Sequence, residues 1–69
     1  MDNFGLRIKE LRRQKNLSQT QMAMRLHISR AAYSNYEAGI RFPDARTLCD
    51  IADIFSVSVD YLLNHKTIK

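Results

Sequence analysis

The chemistry this chain can offer is concentrated in one short stretch. From Ser29 to about Ala38 the sequence reads as a helix, with Ile28, Tyr33 and Tyr36 at inward positions. That leaves Arg30, Ala31, Ser34 and Asn35 pointing out. Arginine can pair bidentately with guanine, asparagine with adenine, and alanine can touch a thymine methyl. The set therefore has the makings of a base-reading surface.

Charge placement supports a polyanionic partner. Residues 1–30 hold seven basic side chains against two acidic ones. Residues 31–69 hold four basic against five acidic, so the net +4 is carried by the first part of the chain. Such an uneven balance suggests one surface that meets a polyanion. The same charges would also serve simply to solvate a small helical domain.

Other chemistries lack their residues. One cysteine, Cys49, allows no intramolecular disulfide. His27 and His65 lie far apart without a thiol or carboxylate cluster, so no metal site and no cofactor is expected. No nucleophile–base pair or phosphate-binding glycine loop is present, which argues against an enzyme. No apolar run approaches the ~20 residues of a membrane span. The N-terminus lacks the basic-then-apolar pattern of a signal peptide, and with the unpaired cysteine this points to a reducing cytoplasm.

Five short helices are expected to position the polar set, in one domain spanning 1–69 with residues 65–69 frayed. At 69 residues the chain is too short for more than one domain. The first helix runs from about Phe4 to Lys15, capped by Asp2 or Asn3, with Phe4, Ile8 and Leu11 on its apolar stripe. Arg7, Lys9, Arg13 and Lys15 face outward, and Asn16 can end the helix in a left-handed conformation. Ser18 and Gln21 form a capping box for the second helix, which buries Met22, Ala23 and Leu26. Ser29 caps the third helix and Gly39 ends it. Asp44 caps the fourth, with Leu48, Ile51, Ala52 and Phe55 inward. Cys49, beside that stripe, reads as a small buried hydrophobe. Ser58 caps a fifth helix to about Asn64, packed through Leu62 and Leu63.

The second and third helices are each about nine residues long and are joined by the tight turn His27-Ile28. This is the pattern of a helix-turn-helix, whose second helix enters the major groove.

Here the sequence resembles the Cro/CI-type (XRE) helix-turn-helix domains of phage and bacterial repressors. The resemblance rests on five motifs in order: Arg7-Ile8-Lys9-x-Leu11-Arg12, Leu17-Ser18-Gln19-x-x-Met22-Ala23, Ile28-Ser29, Tyr36-Glu37-x-Gly39-x-x-x-Pro43 and Val57-Ser58-Val59-x-x-Leu62-Leu63. It implies an all-α, five-helix domain of the lambda-repressor-like type with a central helix-turn-helix. It implies base contacts from Arg30, Ala31, Ser34 and Asn35. Ser18, Gln19 and Ser29 are expected at the DNA backbone, with Gln19 also bracing the first base-reading side chain. Arg12 and Glu37 match the family's partly buried ion pair, which would lock the recognition helix to its scaffold.

Three departures shape the expectations. His27 stands where relatives usually carry glycine, in a turn that needs a left-handed residue. Ala38 cannot make the phosphate contact common just before the terminating glycine, which moves that expectation to Arg41. Tyr33 replaces a branched aliphatic residue, and its hydroxyl needs a partner or an exit. It either packs in the core or reaches the DNA backbone.

The expected activity is sequence-specific DNA binding that regulates transcription, more often by repression, on a palindromic operator bound by a homodimer. The dimer surface in relatives lies around the fifth helix, which makes Val59, Tyr61, Asn64 and Ile68 candidates here. The alternative is a protein-interaction module resembling an antitoxin, with Ile40, Phe42 and Ile68 as an exposed apolar patch for its partner.

Overall fold

A computed structural model describes residues 4–63 of the chain. These form five helices: α1 (Phe4–Gln14), α2 (Gln19–Leu26), α3 (Arg30–Ala38), α4 (Ala45–Phe55) and α5 (Val59–Leu63). No strand occurs among the described residues.

Local chemistry sets most of the helix ends. Ser18 and Gln21 close the capping box: the Ser18 hydroxyl accepts from the Gln21 N–H at 3.0 Å, and the Gln21 amide oxygen accepts from the Ser18 N–H at 2.8 Å. The Ser29 hydroxyl accepts from the Ala32 N–H, the Asp44 carboxylate from that of Thr47, and the Ser58 hydroxyl from that of Tyr61. Its cap bond holds the Asp44 carboxyl below the usual aspartate range. Asn16, His27 and Gly39 all adopt positive φ and stop their helices as expected. Ser56 does the same after α4, at φ 57°, which its residue type does not advertise. The α1 helix ends one residue before the expected Lys15, and its cap candidates Asp2 and Asn3 lie outside the described residues.

The core gathers one fully enclosed large side chain from each helix: Ile8, Met22, Tyr33, Ile51 and Leu62. Enclosing a side chain of this kind contributes about 1.5–3 kcal/mol. Phe4, Ala23, Leu26, Leu48, Ala52 and Phe55 complete the cluster, so the apolar stripes read from the sequence are the buried ones.

Two packing expectations need correction. Cys49 is exposed, not buried. It sits about 100° around α4 from Leu48, on the same row as exposed Asp53. Leu63 is 41% exposed, because Leu62 alone fills the inward position of the short α5.

Gly5 is a position whose importance the sequence does not signal. A Cβ there would stand 2.3 Å from the Glu37 carbonyl oxygen and 2.9 Å from that of Tyr36. Only a residue without a side chain lets α1 lie this close to the end of α3.

Candidate nucleic-acid interface

The pair α2–α3 is joined through His27 and Ile28. His27 takes φ 59°, ψ 40°, the left-handed conformation the turn requires. Its N–H donates to the Met24 carbonyl, and the Ile28 N–H donates to that of Ala23, which winds the chain tightly off α2. Ser29 then starts α3, and the exposed Ser29, Arg30 and Ala31 make its first turn project into solvent.

Arg30 and Ala31 are exposed at that projecting end, and Ser34 and Asn35 are half-buried on the following turn. All four expected base-reading positions thus keep some access to solvent. The Asn35 carbonyl accepts from the N–H groups of Ile40 (3.0 Å) and Arg41 (3.2 Å). The exposed Arg41 is therefore carried at a fixed place beside α3, though it follows the helix in sequence.

Ser18 and Ser29 are also exposed at helix starts. Each hydroxyl oxygen accepts its cap bond, and its O–H remains able to donate. A phosphate oxygen is the kind of acceptor that such a donor suits.

A polar network beneath these residues ties three helices together. The Arg12 guanidinium donates to the Glu37 carboxylate twice, Nε to Oε2 at 2.6 Å and Nη2 to Oε1 at 3.2 Å. Its Nη1 donates to the Leu17 carbonyl at 2.8 Å. Gln19 adds a donor from α2, with Nε2 to Glu37 Oε1 at 3.0 Å. The ion pair between α1 and α3 is therefore present as the resemblance implied, and both side chains are largely withdrawn from water, at 13% and 4% exposure. Burial alone would raise the Glu37 carboxyl; hydrogen bonds led by that from Arg12 outweigh it and hold the group below the usual glutamate range. The bond to Glu37 in turn raises the Arg12 guanidinium. Gln19's engagement with Glu37 is an addition to its expected role that residue spacing could not reveal.

Tyr33 is the clear correction within this site. It was a candidate backbone contact, but the residue is fully buried, so its hydroxyl cannot reach a phosphate from this position. The space between the five helices is large enough to enclose its aromatic ring. The ring meets Tyr36 edge-on, with centroids 6.3 Å apart. Its hydroxyl lies near the Glu37 carboxylate without a hydrogen bond of proper geometry. Burial first, and the carboxylate second, hold its proton on well above the usual phenol range.

Arg7 also departs from its expected outward role. Its guanidinium lies over the Tyr61 ring, 5.2 Å from the centroid, and braces α1 against α5. Of the candidate dimer residues, Val59 is half-buried and Tyr61 exposed, while Asn64 and Ile68 lie outside the described residues. An apolar groove of about 480 Å³ opens beside α5, walled by Phe4, Ile40, Phe42 and Leu63. The Phe4 and Phe42 rings meet at its side at a tilt of 51°, with centroids 4.7 Å apart. Among the described residues, no group of three His, Cys, Asp or Glu side chains could hold a metal ion, and no helix is long and apolar enough to cross a membrane.

The helix-turn-helix family matches residues 8–62, a span that runs from α1 into α5 and holds the α2–α3 pair, the network and the reading set. The chain belongs to this helix-turn-helix family. Among curated relatives, it is 50% identical over 60 residues to the uncharacterised HTH-type transcriptional regulator YqaE of Bacillus subtilis (strain 168), covering 87% of this chain and 52% of YqaE. It is 41% identical over 61 residues to the HTH-type transcriptional activator BcrR of Enterococcus faecalis, covering 88% of this chain and 30% of BcrR. Among solved structures it is similar to the DNA-binding domain of the P22 C2 repressor, with a TM-score of 0.83 and 25% identity over 94% of this chain and 88% of that one. The chain thus spans about half of YqaE and under a third of BcrR. Within the helix-turn-helix family, the lambda-repressor-like fold expected from the motifs is the fold observed.

Proposed function

We propose that this chain is a sequence-specific DNA-binding regulator of transcription, with α3 lying in the major groove. The observation that carries the reading is the projecting start of α3, where Arg30 and Ala31 stand free while the Arg12–Glu37–Gln19 network fixes the helix behind them. On this reading Arg30, Ala31, Ser34 and Asn35 contact bases, and Ser18, Gln19, Ser29 and Arg41 meet the backbone. The names of the relatives and of the P22 C2 domain agree with it.

Binding as a homodimer to a palindrome completes the proposal. A lone helix-turn-helix makes few contacts, and pairing two raises affinity through effective concentration. Val59 and Tyr61 of α5, together with Phe42 and Leu63 of the apolar groove, form the dimer surface, with Asn64 and Ile68 as further candidates. Repression is the simpler outcome, since it requires only occupancy of a promoter. The protein then works in the cytoplasm, on the nucleoid.

Selection of binding sites from a random DNA pool tests the proposal. A palindromic consensus with half-sites about one helical turn apart supports both specificity and dimerisation. A second reading, a protein partner as in an antitoxin, draws support from exposed Ile40 and Phe42. Failure of the pool to enrich any sequence, together with co-purification of a second chain, would favour it.

A further inference from the structure

The network under the recognition helix contains one more donor than it uses. Glu37 Oε1 accepts from Gln19 Nε2 at 3.0 Å and from Arg12 Nη2 at 3.2 Å. Tyr33 and Glu37 are four residues apart on α3, which places their side chains side by side. The Tyr33 hydroxyl is buried with no hydrogen-bond partner among the described residues, a condition that costs free energy and is uncommon in folded proteins. Gln19, in contrast, sits at the first position of α2 and is only half-buried. One donor to Glu37 therefore reaches solvent, and a second one waits behind it in the core.

Resting on the DNA-binding reading, we propose that Gln19 and Tyr33 are alternative donors to Glu37, exchanged when the domain meets a DNA phosphate. In the free protein Gln19 holds the carboxylate. On DNA its amide swings out to a phosphate oxygen, and the Tyr33 O–H turns onto the vacated Oε1. The carboxylate keeps three donated bonds in both states, two of them from Arg12, so releasing Gln19 does not leave it one donor short near the phosphate backbone. Tyr33 is then a positioning residue. It never touches DNA, yet it sets how readily Gln19 can.

Tyr33→Phe separates this role from a packing role, because it removes only the hydroxyl. Thermal unfolding of the full chain should be unchanged or shifted upward, since no hydrogen bond is lost in the free state and an unpartnered buried hydroxyl is removed. The dissociation constant for a random-sequence DNA duplex should rise about five- to tenfold, as an acceptor is left short of a partner on binding. The salt dependence of binding should keep its slope, because no cation is removed. Unaltered affinity in Tyr33→Phe would overturn the exchange, and so would a shallower slope, which belongs to a lost cationic contact. A cycle in the DNA-free protein gives an independent arm. Gln19→Ala alone should lower the urea midpoint little, because Tyr33 takes over. Gln19→Ala with Tyr33→Phe should lower it by more than the sum of the single effects, and strict additivity would overturn the reserve-donor role. If the wild-type chain bound no duplex, the DNA reading and the phosphate step would fall together, and the cycle would still decide whether Tyr33 stands in for Gln19.

Discussion

The two ends of this domain present opposite kinds of surface. At the start of α2 and α3 the exposed Ser18, Ser29 and Arg30 are polar, and the backbone that carries them is fixed by bonds with direction: the Ser18 and Ser29 caps and the Arg12–Glu37–Gln19 network. At the groove beside α5 the exposed side chains are apolar, with Ile40 at 71% and Phe42 at 57% exposure, and the Phe42 ring packs on that of Phe4. Hydrogen bonds weaken steeply with angle, whereas apolar contact scales with area and has no preferred direction. A surface that discriminates bases needs the first kind of support. A surface that pairs two protein bodies can work with the second.

Substitutions at each end can break this contrast or sharpen it. The largest effect is expected for Glu37→Ala, which leaves the Arg12 guanidinium buried without its partner and should cost about 3–5 kcal/mol in urea unfolding. Acid should act on the same pair. The folded carboxyl titrates below the usual value near 4.5, so its contribution is intact above that pH and is lost as pH falls through the lower folded value. Stability measured against pH should show that loss in wild type, and a flatter acid limb in Glu37→Gln.

Gly5→Ala should follow. The new Cβ would collide with main-chain atoms of α3, not with a movable side chain, and about 1–3 kcal/mol of destabilisation is expected in thermal melts. An unshifted melt would mean that α1 can move off α3 freely, and that the polar end is less rigid than its bonds imply.

Arg30→Ala should leave stability alone and lower affinity for the selected duplex by about 1–3 kcal/mol, relaxing preference at one base pair. Phe42→Ser should do the reverse: affinity of each half for DNA is retained while sedimentation shows the dimer weakened. If Arg30→Ala reduced binding equally on all sequences, Arg30 would be a backbone contact. The smallest change is expected from Arg41→Ala, which should reduce the salt slope by about one unit without altering the consensus.

Much of the fold was legible because it is written in local chemistry. Ser18, Ser29, Asp44 and Ser58 each bond a backbone N–H three residues on, and such bonds need no tertiary context. The stripe Leu48, Ile51, Ala52 and Phe55 follows from helical period alone. What stayed hidden depends on a third body. Tyr33 reads as inward from its spacing, but its polar tip leaves an exit to the DNA backbone open, and only the packing of five helices closes it. The Gln19 amide finds Glu37 only once α2 and α3 are docked, 18 residues apart in sequence. The weight on Gly5 comes from a carbonyl 32 positions away. Arg7 shows the same blindness, as its spacing suggests a solvated cation and its neighbour Tyr61 makes it a brace. The proposed reading set comes by elimination from packing; of the inward residues behind it, Tyr33 is buried, and Ile28 and Tyr36 are half-buried against the core.

The centre of the domain, with one enclosed side chain from every helix, has a consequence for how the molecule opens. The five enclosed side chains belong to one core cluster, so a detached helix leaves buried groups of the helices packed on it uncovered. Hydrogen exchange at the most protected amides should accordingly report a single opening free energy across α1 to α5, with no graded series of partial openings. On that expectation a change that loosens α3 lowers protection in the helices packed on it as well, and the proposed reading helix is not softened alone.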